Sequence, residues 1–111
     1  MLTFFIGAPY RKAPPGQRYS FEYIYQTGTG EGYAIWQKWA SIINSGIPVV
    51  LLRNDKYTKR AEGILAGPLK PTGSYIKGVQ RYDVHIRDLK HVAYKKPPQK
   101  LNPFGVLVID C

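Results

Sequence analysis

The chain has 111 residues, 44% of them hydrophobic, enough for one core and too few for a second catalytic lobe, so multi-domain enzymes are excluded. Sixteen Lys and Arg against seven Asp and Glu leave a formal charge of +9 and a pI near 9.8. So large an excess of one sign in a small domain points first to a polyanionic partner, and composition alone does not separate nucleic acid from an acidic protein or an anionic membrane surface; a merely solubilising surface is the alternative.

The longest apolar run, Ile47 to Leu52, falls far short of the roughly 20 residues of a membrane span. Met1 to Ile6 is apolar but has no basic leader, and Gly7-Ala8-Pro9 interrupts it, so it reads as a first strand. The only cysteine, Cys111, leaves no internal disulfide framework or Cys-based zinc finger, and a cytoplasmic location is expected.

Ala13-Pro14-Pro15-Gly16 is a turn. Over Tyr19 to Tyr25 a two-residue period places Tyr19, Phe21, Tyr23 and Tyr25 on one face of a strand, as core or as binding surface. Three alternating glycines, Gly28, Gly30 and Gly32, predict a turn. From about Tyr33 to Ser45, spacing near 100° per residue gathers Tyr33, Ile35, Trp36, Trp39, Ile42 and Ile43 on one side, predicting an amphipathic helix closed by Gly46 and Pro48.

Pro48 to Leu52 predicts a buried central strand, Arg53 to Lys56 a turn, and Ala61 to Ala66 an antiparallel return. Gly67 to Gly73 reads as a connection. Alternation is cleanest at Arg81 to Arg87, with Tyr82, Val84 and Ile86 inward and Arg81, Asp83, His85 and Arg87 outward; Lys90 to Tyr94 extends or follows it. Gly105 to Ile109 closes the chain as another buried strand. These elements predict one domain over residues 1–111. It is α+β and mainly β, a small bent sheet or partly open pseudo-barrel of about six strands with one amphipathic helix.

No strong catalytic or cofactor signature is present. The glycine segment has neither Rossmann nor P-loop spacing, no metal-ligand spacing surrounds His85 or His91, and the acids form no two-metal cluster, so no cofactor and no metal are expected. A metal-independent ribonuclease built from His85, Arg87 and His91 is the enzymatic alternative to a non-enzymatic module.

The cations carry more information, because they gather beside aromatics in turns. Arg11, Lys12 and Arg18 precede the aromatic stripe, where Tyr23 and Tyr25 are stacking candidates. Arg53, Lys56, Lys59 and Arg60 bracket Tyr57, and Lys95, Lys96 and Lys100 follow Tyr94. Such loops suit phosphate contacts, with Tyr or Trp rings stacking on bases. Trp36 and Trp39 otherwise read as core.

The order of Thr3-Phe4-Phe5-Ile6, a Trp-containing helix, Gly46 to Leu52, Arg60 to Leu65 and Arg81-Tyr82-Asp83-Val84-His85-Ile86 resembles PUA-like domains of the EVE and YTH kind, although Ile47 stands where an acidic residue usually follows the glycine. The resemblance implies a bent pseudo-barrel that binds RNA or DNA, in some members by enclosing a modified base between aromatics.

Overall fold

The computed structural model describes residues 1–8, 20–54 and 57–110. Arg11, Lys12, Arg18, Tyr19, Lys56 and Cys111, with the turn at residues 13–16, lie outside the described residues. Along the chain run β1 (Leu2–Gly7), α1 (Phe21–Thr27), β2 (Thr29–Ala34), α2 (Gln37–Ala40), β3 (Pro48–Asn54), β4 (Thr58–Leu65), β5 (Lys70–Ile76), β6 (Val79–Val92) and β7 (Val106–Asp110). The fold is α+β and mainly β, as the sequence predicts. No helix is long and apolar enough to cross a membrane among the described residues.

All seven strands join one sheet, in the order β2-β6-β4-β3-β1-β7, with β5 on β6. β1 runs parallel to β3 and antiparallel to β7. The 14-residue β6 organises the rest: Ile86 to Val92 pair with β4, whereas Val79 to His85 carry β2 on one flank and β5 on the other. A register shift between Glu62 and Ile64, and the left-handed backbone of Asp88, bend this strand pair.

The sheet curls until its distant strands touch. The buried Tyr33 hydroxyl of β2 donates to the Gly7 carbonyl at the end of β1 across 2.9 Å, although three strands separate them along the sheet. The pleat explains the core: Phe4, Ile6, Val49, Leu51, Ala61, Val106 and Val108 face inward with Phe21, Ile24, Tyr33 and Ile35. Phe5, Val50, Leu52 and Leu107, one residue out of phase, form a second apolar layer against Tyr94 and Leu101.

Three elements differ from the sequence reading. The aromatic stripe is helix α1: the Ser20 side chain caps it by accepting from the Tyr23 N–H at 3.1 Å, and Gly28 ends it in the left-handed conformation. The buried pair is therefore Phe21 and Ile24, three apart, and the two-residue recurrence of aromatics was coincidental. A Cβ on Gly28 would lie 2.6 Å from the Ile86 carbonyl oxygen, so the close helix-to-β6 junction requires this glycine.

The predicted helix over residues 33–45 is instead the end of β2, the four-residue α2 and turns. Gly30 and Gly32 lie in a bulged strand, not a free turn. Arg81 donates to the Gly32 carbonyl at 2.9 Å and Asp83 accepts from the Gly32 N–H at 3.0 Å, so two members of the outward polar row of β6 hold the bulge. The third difference is β5, which occupies much of the expected connection and continues the line of β4 along β6.

Candidate nucleic-acid interface

The β3–β4 hairpin carries its cations on alternating faces. Arg53 pairs with Lys59 in the ladder, and both emerge on the α1 side, whereas Arg60 pairs with Leu52 and emerges on the second layer. α1 meets the first face with Glu22 in its opening turn. Glu22 Oε1 accepts from Lys59 Nζ at 2.9 Å and from Arg53 Nη1 at 3.4 Å. The Lys59 hydrogen bond, helped by backbone hydrogen bonding and the charges of Lys59 and Arg53, holds the Glu22 carboxyl below its ordinary range despite partial desolvation. Beyond this network the Arg53 guanidinium lies 5.2 Å from the ring centroid of Tyr57, which is 56% exposed.

On the other face, Arg60 donates from Nε to Glu62 at 2.9 Å and from Nη1 to the Lys95 carbonyl at 2.8 Å. That bond ties the second basic group to the third. Beside it the Tyr94-to-Leu101 segment encloses a cleft of about 370 Å³ lined by Tyr94, Lys96, Pro97, Pro98, Gln99, Lys100 and Leu101. The structure thus gathers Arg53, Tyr57 and Lys59 on one face of the β3–β4 hairpin and Arg60 with the third basic group on the other, so that the hairpin carries cations on both sides. The first basic group lies outside the described residues.

Tyr23 and Tyr25 both pack against the main core, and Tyr25 also lines a cleft of about 240 Å³ with Phe21, Glu22, Gln26, Lys59 and His91. His91 lies there with its ring centroid 4.1 Å from that of Tyr25. His85 occupies another neighbourhood, its Nδ1 3.2 Å from Thr29 Oγ1, and Arg87 pairs with Asp88 at 2.7 Å. The three residues of the ribonuclease alternative are therefore distributed along β6 over different surroundings. Among the described residues, no group of three His, Cys, Asp or Glu is placed to hold a metal ion.

A further cleft was not legible in the sequence. Trp36 follows β2 half-exposed and, with Ile35, Gln37, Tyr75, Gly78, Val79 and Gln80, lines about 240 Å³ beside the β5–β6 turn. Tyr75 is 61% exposed. Lys38 Nζ lies 5.0 Å and 5.5 Å from the rings of Trp36 and Trp39. Reading Trp36 as core followed from the predicted long helix; with only one turn at α2, the ring stands at the edge of a cleft instead.

No protein-family model, curated protein or solved structure matches the chain.

Proposed function

We propose that this protein is a small, non-enzymatic nucleic-acid-binding module of PUA-like architecture. The Arg60 bond to the Lys95 carbonyl is the observation that carries the reading, because it joins two cation-rich segments, distant in sequence, into one rim. Multiple cations on one edge match a phosphate backbone better than an evenly scattered charge would. Arg53, Lys59, Lys96 and Lys100 contact phosphates beside the Arg60 link, and the exposed Tyr57 offers a ring to a base. Lys56, Arg11, Lys12 and Arg18 are phosphate-contact candidates from the sequence alone.

The Trp36–Tyr75 cleft adds a second kind of contact. Two aromatic rings with the amides of Gln37 and Gln80 beside them suit a planar base that carries both donors and acceptors. Recognition of a modified base is a narrower form of this reading, and a DNA or RNA strand satisfies its general form.

Binding of labelled single- and double-stranded DNA and RNA, measured across a salt series, tests the proposal. Several phosphate contacts give a linear fall of log affinity with log salt, and a Lys59→Ala, Lys96→Ala double substitution makes that slope shallower by about one to two. Absence of binding to all four polymers at low salt refutes it.

A further inference from the structure

Phe21, Tyr25 and His91 form a three-ring cluster between α1 and β6. Phe21 and Tyr25 are nearly parallel, with 5° between their planes and 6.2 Å between centroids, and His91 lies 4.1 Å from Tyr25 and 5.6 Å from Phe21, tilted by 33° and 31°. Phe21 is buried, Tyr25 is half-buried, and His91 is exposed. The cluster therefore spans from the core to the surface. It opens into the 240 Å³ cleft on whose side Lys59 sits.

We propose that this cleft is a base-stacking subsite for an unpaired nucleotide. The inference rests on the nucleic-acid reading and deepens it by specifying a single-stranded ligand. A duplex keeps its base faces covered by neighbouring pairs, so only an unpaired base can extend an aromatic stack on a protein. Lys59 supplies the phosphate contact: its ammonium has three N–H donors, and the Glu22 bond uses one.

The test uses one fluorescein-labelled oligonucleotide as an intact single strand, an abasic single strand of equal length and an annealed duplex. The intact strand is expected to bind about tenfold more tightly than the abasic strand, and Tyr25→Ala to remove most of that difference. Folding of each variant is verified by circular dichroism, and Tyr25→Phe, which retains the ring, guards against a merely destabilising effect. Equal binding of intact, abasic and duplex ligands, unchanged by Tyr25→Ala, overturns the subsite while leaving the basic-rim reading in place. No binding to any ligand overturns both readings.

Discussion

Replacing Glu22 by Gln should move stability and nucleic-acid affinity in opposite directions. Glu22 Oε1 joins α1 to the β3–β4 hairpin through Lys59 at 2.9 Å and Arg53 at 3.4 Å. The side chains of Glu22 and Lys59 are 35% and 42% exposed and that of Arg53 is 15% exposed, so solvent screens the first pair more than the second. Discounted for that screening, the loss of both is expected to cost about 1 kcal/mol of stability near neutral pH. Because the carboxyl is held below its ordinary range in the folded protein, its contribution is present above the unfolded pKa and disappears as pH falls through the folded value. Wild type and Glu22→Gln should therefore converge in stability under acid conditions. Binding changes the other way: the substitution removes a negative charge beside two cations proposed to contact phosphate and should tighten single-strand binding about three- to tenfold at low salt. Urea unfolding at pH 7 and pH 3, together with fluorescence anisotropy at two salt concentrations, measures both effects. Weaker binding by a folded Glu22→Gln protein would refute the assignment of Lys59 and Arg53 to phosphate contact.

The other predictions concern the frame and the second cleft. Tyr33→Phe removes the buried bond to the Gly7 carbonyl and should destabilise the protein by about 1–1.5 kcal/mol, measured by urea unfolding, with little change in the strand content seen by circular dichroism. Ser20→Ala deletes the α1 cap and should cost about 1 kcal/mol; faster amide exchange confined to the first turn of α1 is the accompanying signature. Trp36→Ala and Tyr75→Ala should each weaken single-strand binding by about 1–3 kcal/mol at constant salt slope, because they remove stacking and leave the phosphate contacts unchanged. Calorimetric titrations at three salt concentrations separate that outcome from a general loss of affinity.

The parts of the fold that depend on alternating burial were legible in the sequence. Val49 and Leu51 face one layer and Val50 and Leu52 the other, which is why Pro48 to Leu52 read as a strand buried on both faces. Val84 and Ile86 likewise announced β6. Local periodicity failed where partners distant in sequence decide the conformation. Gly30 to Ala34 has little strand character of its own and is drawn into β2 by β6, with Asp83 and Arg81 holding the bulge at Gly32. The same competition removed the expected long helix and left Trp36 at a cleft. β5 gave no apolar signal because six of its seven residues are exposed, and its Pro71 and Gly73 read as breakers. Conversely, Ser20 and Gly28 were usable helix boundaries that the recurrence of tyrosines obscured.

For the site, the clustering of cations in turns was visible, but their meeting in space was not. Nothing local connects Arg60 to Lys95; the pairing of Arg60 with Val92 in the β4–β6 ladder brings them together. Glu22 was similarly invisible as part of the rim, since the carboxylate reaches Arg53 and Lys59 only because residues 21–27 are helical.

A titration of isotopically labelled protein with a short single-stranded oligonucleotide, followed by amide chemical shifts, tests the central claim most directly. The account predicts salt-sensitive shifts concentrated at Arg53, Tyr57 to Arg60, His91 and Tyr94 to Leu101, with a separate aromatic response at Trp36 and Tyr75. Shifts spread evenly over the sixteen cations, or none at low salt, would contradict a nucleic-acid-binding rim.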